Sequence, residues 1–339
     1  MRDGGCAVVS MPIRARVTVL LLLLAITGLA GCGGGGSVDQ TSHDFTFAVI
    51  GDPHIGDRGD NDEFCMARSQ AAPLLKAAVE QINARNVDFT VVIGDISNNG
   101  KWGQLLEAKT ILRGLNSSLF AVPGNHDNHM SDNFEAYRHI FGRQRVEYSW
   151  LWKGFRFVTW NCVNQPYEPP LASWSPQKIE AIREDLRANA SVPTFFISHH
   201  QLYSYDPRED PSEPWTHPAP EGSEQLRAVL EQSDNVIMAI AGHIHRPRMR
   251  SEHGLTAVTV GTALVYPAQI MLYNVTATQT QSQPMQIEDP DLLAQVYRLA
   301  SPLLLPEIIG RPEDSEYTVI HRMLPGGVIP PASPDLSAK

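Results

Sequence analysis

Five short apolar segments along the chain each lead into a turn that carries Asp, Asn or His. The segments are FTFAVI, FTVVI, SSLFAV, PTFFIS and NVIMAIA, and the motifs at their ends are GDPHIG, GDISNNG, GNHD, ISHH and GHIH. Short apolar runs that are rich in β-branched and aromatic residues and end in Gly, Pro, Ser or His are typical of buried strands. The pattern therefore predicts a sheet whose strands end in potential metal ligands.

Helix-like stretches separate these predicted strands. The clearest are residues 68–83, 103–113 and 176–186, the last with Pro176 in its first turn. Alternation of strands and helices predicts an α/β fold with much parallel sheet. Ligands of such folds gather beyond the carboxyl ends of the strands. We therefore expect the five motifs to meet at one edge although they are distant in sequence.

The residue types in the motifs indicate the kind of metal site. The candidate residues are Asp52, His54, Asp95, Asn125, His126, Asp127, His199, His200, His243 and His245. Carboxylates and imidazoles without thiolates suit Mn, Fe or Zn in an open site rather than a closed structural zinc site. Two ions about 3.5 to 4 Å apart need a bridging carboxylate, and they lower the pKa of bound water to about 7. Their positive charge attracts a phosphate anion, so the pattern predicts a two-metal hydrolase that acts on phosphorus.

The order of the motifs adds information that no single motif carries. A Gly-Asp pair alone is mostly a turn signal, and a lone His is more often a structural or surface residue. The order DxH, GD, GNHD, a His after an apolar strand, and GHxH resembles the calcineurin-like metallophosphoesterase superfamily, over roughly residues 45–275. The resemblance implies a single catalytic domain in which two mixed β-sheets pack as a sandwich flanked by helices, in four layers.

The resemblance also implies a role for each candidate residue. Asp52, His54, Asp95 and His245 would hold the first metal ion, and Asp95, Asn125, His199 and His243 the second, with Asp95 bridging. The cofactors would be two divalent or mixed-valence ions of Mn, Fe or Zn. His199 is preferred to His200 as a ligand because it comes first after the strand, and His200 is then a neighbour that contacts substrate.

Two residues of the GNHD motif would act on the substrate rather than on a metal ion. His126 would assist the phosphoryl group or the leaving oxygen, with Asn125 beside it in the substrate site. Asp127 would orient His126 through a carboxylate–imidazole hydrogen bond, which makes both residues part of the catalytic set.

Position 98 distinguishes branches of the superfamily. Purple acid phosphatases carry a ligating Tyr three residues after the bridging Asp, whereas this chain has Asn98. The segment from the GD motif into residues 103–113 is more similar to the cyclic-nucleotide-phosphodiesterase-like branch. The implied reaction is hydrolysis of phosphomonoesters or phosphodiesters by a metal-bridging hydroxide. The alternative is a lipoprotein that uses the metal site to bind phosphate compounds without cleaving them.

The amino terminus predicts where the protein acts. Arg14 and Arg16 precede an apolar stretch too short to span a membrane, which ends in LAGC at Cys32. This ending resembles a bacterial lipobox, and the alternative is an ordinary secretory signal with an incidental Cys. We expect residues 1–31 to be a signal peptide, Cys32 to carry lipid, and residues 32–43 to be a flexible tether. The protein would be extracytoplasmic, in the cell envelope, and lipid-anchored to a bacterial membrane.

The net charge and the segment after the last motif indicate the kind of partner and the domain boundaries. The formal net charge of −10 argues against a nucleic-acid-binding module and leaves a small phosphoester as the expected partner. We place the catalytic domain at residues 44–275, with 276–339 as an extension packed on it that ends in a loose tail.

Two features of the predicted catalytic domain leave alternatives open. Residues 201–221, which include Tyr203, Tyr205, Trp215 and His217, form the best candidate wall of the substrate pocket, with residues 161–174 as a second wall. The aromatic residues could contact substrate or form a small core of the loop itself. Cys65 and Cys162 could form a disulfide in an oxidising compartment or remain as buried thiols.

Overall fold

The computed structural model describes residues 43–56, 65–128, 133–164, 172–208, 216–300, 309 and 311–322. The predicted signal peptide and Cys32, most of the predicted tether, Trp215 and the predicted C-terminal tail lie outside these residues. Within the described part of the chain, no helix has both the length and the hydropathy needed to cross a bilayer.

The described chain alternates strands and helices along its first two thirds and is mostly strand afterwards. The strands are β1 (Phe45–Gly51), β2 (Phe89–Ile93), β3 (Ser118–Val122), β4 (Tyr148–Trp152), β5 (Phe155–Thr159), β6 (Thr194–Ile197), β7 (Val236–Ala241), β8 (Arg248–Glu252), β9 (Leu255–Thr259), β10 (Gln269–Val275), β11 (Gln279–Gln286) and β12 (Thr318–Ile320). The α-helices are α1 (Ala71–Arg85), α2 (Trp102–Leu112), α3 (Glu135–Phe141), α4 (Pro176–Ala188), α5 (Ser223–Glu231), α6 (Pro290–Leu299) and α7 (Pro312–Ser315).

The strands form two mixed sheets. The first has the order β12-β11-β10-β1-β2-β3, and the second has the order β4-β5-β6-β7-β9-β8. Strands β1, β2 and β3 are parallel, and so are β5, β6, β7 and β9. All five strands that were predicted in front of the motifs are present, because their apolar runs supply buried side chains to both faces of a sheet.

Three buried clusters divide the fold into four layers. Alternate residues of a strand face opposite sides of its sheet. In β1, Phe47 and Val49 belong to the cluster between the two sheets, while Ala48 and Ile50 belong to the cluster that contains the buried residues of α1, α2, α3 and α6. The third cluster joins the outer face of the second sheet to α4 and α5. The predicted sandwich of two mixed sheets flanked by helices is confirmed.

Aromatic packing between the sheets fixes the strand that leads to the first motif. Phe47 is fully buried and stacks on Phe89 of β2 at 5.0 Å and on Tyr273 of β10 at 4.8 Å between ring centroids. Offset ring pairs of this kind each contribute about 0.5–1.5 kcal/mol beyond the apolar area that they bury. The end of β1, where Asp52 begins its turn, is therefore held by neighbouring strands on both sides.

The chain after Val275 continues the first sheet. Strand β11 pairs along the whole of β10 in antiparallel register, and β12 pairs with β11. The predicted domain boundary at residue 275 thus falls between two hydrogen-bonded strands. Helix α6 covers residues 290–299, and Asp289 Oδ1 caps it by accepting hydrogen bonds from Asp291 N and Leu292 N, both at 3.0 Å.

The two cysteines of the described chain are buried thiols in different clusters. Cys65 lies in the cluster that contains α1, and Cys162 lies in the cluster with α4 and α5. Burial raises the pKa of the Cys162 thiol to about 12. Of the two alternatives left open by the sequence, the structure therefore adopts the buried thiols.

Candidate metal centre

The five motifs come together where strands of both sheets end. Asp52 follows β1 and Asp95 follows β2 in the first sheet, while His199 follows β6 and His243 follows β7 in the second. The two sheets are joined at this edge by His243 N, which donates to Asp52 Oδ1 and Oδ2 at 3.0 and 3.2 Å. The convergence predicted from the α/β pattern is thus observed.

One group of four side chains matches the set predicted for the first metal ion. His54 Nε2 lies 3.0 Å from His245 Nε2 and 3.6 Å from Asp95 Oδ2, and His245 Nε2 lies 3.8 Å from Asp52 Oδ1. One ligand atom from each of these four residues lies within 4.8 Å of the others. The sequence predicted this group in full.

A second group forms around His199 Nε2. This atom lies 3.0 Å from Asn125 Oδ1, 3.2 Å from His243 Nδ1 and 3.4 Å from Asp95 Oδ1. These are the four residues predicted for the second metal ion. His200 is the additional neighbour, since one nitrogen of His200 lies within 4.8 Å of ligand atoms of His199 and His243.

Asp95 is the side chain that joins the two groups. Its Oδ2 atom faces His54 at 3.6 Å, and its Oδ1 atom faces His199 at 3.4 Å. The carboxylate is held in this position by His126 N, which donates to Oδ1 at 2.9 Å. A donor set of two carboxylates, an amide oxygen and imidazoles, with one carboxylate facing both groups, fits a pair of Mn, Fe or Zn ions.

Burial keeps most of the imidazoles neutral, which is the form that binds metal ions. Burial lowers the pKa values of His54 and His243 to about 3, and those of His200 and His245 fall well below their ordinary value for the same reason. His199 differs, because the adjacent carboxylates of Asp95 and Asp52 overcome its burial and raise its pKa to about 9.

The two carboxylates at the centre have opposite pKa shifts. Burial raises the pKa of Asp52 well above its usual range. Burial also opposes ionisation of Asp95, but His199 and His126 together hold its pKa well below its usual range. Of the two carboxylates, Asp95 is therefore the one whose surroundings favour the ionised form.

Five of the predicted ligands have left-handed backbone conformations. The φ angles are 45° for Asp52, 45° for His54, 40° for Asp95, 71° for His243 and 60° for His245. A non-glycine residue in this region costs roughly 1–2 kcal/mol. Such strain concentrates at functional sites, where the surrounding structure fixes the turn that aims each side chain.

The glycines of the motifs allow ligands from other motifs to approach the backbone. A Cβ atom added to Gly94 would lie 1.8 Å from His199 Nδ1, and one added to Gly124 would lie 2.2 Å from Asp95 Oδ1. A Cβ atom on Gly242 would lie 2.6 Å from Asp52 Oδ2. The glycine of one motif therefore makes room for the ligand of another, a relation that sequence analysis missed.

The side chain of His126 is more open to solvent than those of the neighbouring residues His54, Asp95, His199 and His245. Its side chain is 38% exposed, whereas that of His245 is 19% exposed and those of His54, Asp95 and His199 are nearly fully buried. His126 Nδ1 contacts the carbonyl oxygen of Asn98 at 2.8 Å, and His126 Nε2 lies 4.0 Å from Asp95 Oδ2. The ring is thus partly open to solvent and lies next to the Asp95 carboxylate, and its predicted action on substrate stays a prediction.

The partner predicted for Asp127 is wrong. Its two carboxylate oxygens accept hydrogen bonds from Ser97 N and Oγ, both at 2.8 Å, from Gly124 N at 2.9 Å and from Ile96 N at 3.0 Å. These four donors use the acceptor sites of the carboxylate, and Asn98 O takes the position beside His126 instead. Asp127 therefore fixes the GD and GNHD turns to each other and acts on His126 only through them. Burial raises its pKa to about 6.

His200 is buried beside the second group of ligand atoms. It is 5% exposed, and its ring packs on that of His243 with 4.2 Å between centroids. Its backbone oxygen accepts a hydrogen bond from Ser198 Oγ at 2.9 Å. The substrate contact predicted for His200 stays a prediction, because the structure shows contacts of its ring with neighbouring histidines.

The side chain of Gln201, which follows His199 and His200, holds the two described ends of the 201–221 loop together. Gln201 is 1% exposed, and its Nε2 donates to the carbonyl oxygen of Pro218 at 3.1 Å. Tyr205 and His217 pair through two backbone hydrogen bonds of 3.0 and 2.7 Å. Tyr203 and Tyr205 are both buried, and the Arg250 guanidinium lies over both rings. Both rings belong to the buried cluster that joins the second sheet to α4 and α5, so they are part of the main core rather than a small core of the loop itself.

Known proteins share both the sequence pattern and the fold. A sequence profile of the calcineurin-like phosphoesterase family matches residues 45–247. A probable cyclic nucleotide phosphodiesterase from Vesicomyosocius okutanii subsp. Calyptogena okutanii is 23% identical over 205 residues, which are 60% of this chain and 79% of the relative.

Two solved structures resemble the fold. A dimetal phosphatase from Danio rerio superposes with a TM-score of 0.58 and 16% identity, over 72% of this chain and 97% of that one. A purple acid phosphatase from seeds of yellow lupin (Lupinus luteus) superposes with a TM-score of 0.53 and 14% identity, over 74% of this chain and 52% of that one. The likeness to these structures concerns the fold, and the profile covers more than half of the chain. The chain belongs to the calcineurin-like phosphoesterase family.

Proposed function

We propose that this protein hydrolyses phosphomonoesters or phosphodiesters at a centre of two metal ions. The observation that carries the proposal is the position of Asp95, whose two oxygens face separate groups of ligand atoms. Asp52, His54, Asp95 and His245 would hold one ion, and Asp95, Asn125, His199 and His243 the other. When bound, such ions lower the pKa of coordinated water to about 7 and neutralise the charge of a phosphate group.

The chain supplies one further group for the reaction. If His126 Nδ1 donates its proton to Asn98 O at 2.8 Å, Nε2 is the atom that exchanges a proton with substrate. As the bond between phosphorus and the leaving oxygen breaks, a proton held on Nε2 can pass to that oxygen. General acid catalysis of this kind contributes about 10²- to 10⁴-fold to the rate.

The activity test is a substrate panel. Purified protein loaded in turn with Mn, Fe or Zn is expected to hydrolyse at least one phosphomonoester or phosphodiester from a set of nucleotides, phospholipid head groups and sugar phosphates. His126→Gln is expected to lower kcat by about 10²-fold or more while leaving the metal content unchanged, since His126 is not among the proposed ligands. Metal-loaded protein without turnover on the whole panel would leave the binding lipoprotein as the better description.

A second part of the proposal concerns location. The sequence LAGC at Cys32 supports export and lipid attachment, so that the substrates would be phosphoesters outside the cytoplasm. In a bacterial host, the protein is expected in the membrane fraction and labelled by a fatty acid, and Cys32→Ser is expected to remove the label. Labelling that persists in the Cys32→Ser variant, or an unlabelled parent protein, would contradict lipid attachment at this residue.

A further inference from the structure

Helix α2 has an exposed stripe that the hydrolase centre does not use. Its buried residues, Leu105, Ala108 and Leu112, pack into the core. Trp102 and Leu106 are 49% and 53% exposed, although both are large apolar residues. Lys109 and Arg113 follow at spacings of three and four residues, which places all four side chains on one face of the helix.

Helix α3 and the residues after it extend this stripe into a wider surface. The His139 ring lies 5.0 Å from that of Trp102, and Lys109 Nζ lies over Phe141 at 4.9 Å from the ring centroid. The guanidinium of Arg143 packs on Tyr148 at 4.2 Å. Burial lowers the pKa of Lys109, and the positive charges of Arg113 and Arg143 lower it further, which is expected of cations that share one patch.

We name this surface the α2 face, and it is apolar at one end and basic at the other. Its members are Trp102, Leu106, Lys109, Arg113, His139 and Arg143. The basic end is unusual for a chain whose formal net charge is −10. Glu107, an acidic residue of α2, follows Leu106 by one position and so lies about 100° around the helix from it. The clustered positive charge therefore selects a negatively charged partner.

The α2 face extends along the molecule beside the metal centre. Helix α2 begins shortly after Asn98, whose carbonyl oxygen contacts His126. It ends six residues before Ser118, the first residue of β3. Ser118 pairs with Phe89, the first residue of β2, so both strands begin at the same edge of the sheet. The helix therefore runs from the edge that carries the metal ligands to the opposite edge of the sheet. A flat partner that covers the face would lie close to the opening of the centre.

We propose that the α2 face docks on the surface of an anionic lipid bilayer. Trp and Leu side chains insert among lipid headgroups, where an indole can place its apolar ring inward and its N–H near water. Lys and Arg are attracted by anionic headgroups, and each such cation changes membrane partitioning by roughly fivefold. The inference is independent of the proposed hydrolysis, but docking would bring the centre to lipid phosphoesters.

Vesicle sedimentation tests the proposal with a chain that begins at Thr41. Residues 41–339 include every described strand and helix, and these elements form one compact unit. This chain is expected to sediment with vesicles of phosphatidylcholine and phosphatidylglycerol, and much less with phosphatidylcholine alone or at high salt. Trp102→Ser with Leu106→Ser is expected to weaken binding by roughly tenfold or more, because both side chains lose apolar burial. Lys109→Gln with Arg113→Gln is expected to weaken it by roughly 25-fold.

A matched control separates the α2 face from general surface effects. Leu151 is 45% exposed on β4 of the other sheet, so Leu151→Ser removes an exposed apolar side chain elsewhere and should leave sedimentation unchanged. All variants should hydrolyse a soluble phosphoester as the parent does, since none of these residues belongs to the metal centre. Failure to sediment with anionic vesicles, equal binding to neutral vesicles, or equal binding by the Trp102/Leu106 variant would overturn the proposal.

Discussion

Asp95→Asn is expected to abolish phosphoester hydrolysis while the protein remains folded. The amide oxygen can still accept the hydrogen bond that His126 N donates to Oδ1 at 2.9 Å. The amide lacks the negative charge that faces His54 on one side and His199 on the other. Metal ions supply several kcal/mol of transition-state stabilisation. We therefore expect kcat/KM to fall by roughly 10³-fold or more, since about 1.4 kcal/mol corresponds to a factor of ten.

The measurement pairs kinetics with metal content by mass spectrometry. Asp234→Asn is the matched control, because the Asp234 side chain is 74% exposed and makes a 3.6 Å ion pair with Arg322 at the surface. Such a pair contributes about 0–1 kcal/mol to stability, so this variant should keep both metal ions and activity. An Asp95→Asn protein that retains two ions and activity within tenfold of the parent would refute the bridging role.

Gly124→Ala is expected to impair the centre without replacing any ligand. Gly124 has a φ of −102°, so alanine can adopt its backbone conformation. The added Cβ atom would lie 2.2 Å from Asp95 Oδ1 and 2.3 Å from Asp95 N, which forces the carboxylate to move. A displacement of about 1 Å at a catalytic site can cost about 10²-fold in rate. Overpacking of this kind also typically lowers the free energy of unfolding by about 1–3 kcal/mol.

Gly103→Ala provides the comparison within the same chain. Gly103 lies in the first turn of α2, and an added Cβ atom there would meet nothing within 4 Å. This substitution should leave activity unchanged and raise the free energy of unfolding by up to about 1 kcal/mol, because alanine favours a helix more than glycine does. Urea unfolding and kcat/KM of both variants measure the difference. Equal effects of the two substitutions would show that the contact with Asp95 is unimportant.

The sequence predicted those parts of the fold and centre that depend on local pattern. The strands in front of the motifs were recognised because runs such as FTVVI are buried on both sides. The group of Asp52, His54, Asp95 and His245 followed from their positions after strands and from the family resemblance. The strand signal lies within a few neighbouring residues, whereas the grouping of the ligands depended on the order of the motifs along the chain.

Two β-hairpins went unrecognised although they carry a local signal. Strands β4 and β5 are joined by Lys153-Gly154, and β8 and β9 by His253-Gly254. Both residues of each pair have positive φ, with 45° and 86° in the first pair and 48° and 81° in the second. Two-residue turns with both central φ angles positive are the preferred hairpin connection, and glycine at the second position is their usual mark.

Other features depended on contacts that no local pattern contains. Strand β11 is rich in glutamine, and Thr280, Ser282 and Met285 are its buried residues. The partner of His126 is a backbone oxygen of Asn98, and the partners of Asp127 are mainly backbone N–H groups. Backbone partners leave no trace in residue identity, so the role of Asp127 could be corrected only from the structure.

The sheet order determines the smallest chain that can hold the metal centre. Strand β1 pairs with β2 on one side and with β10 on the other, and Thr262 Oγ1 donates to Asp52 O at 2.9 Å. Both β10 and Thr262 follow residue 247, where the match to the family profile ends. A fragment cut at that residue would contain all seven proposed ligands, yet it would leave one edge of β1 unpaired and would remove the hydrogen bond from Thr262 to Asp52 O. The stretch that identifies the family is therefore shorter than the stretch that must fold together.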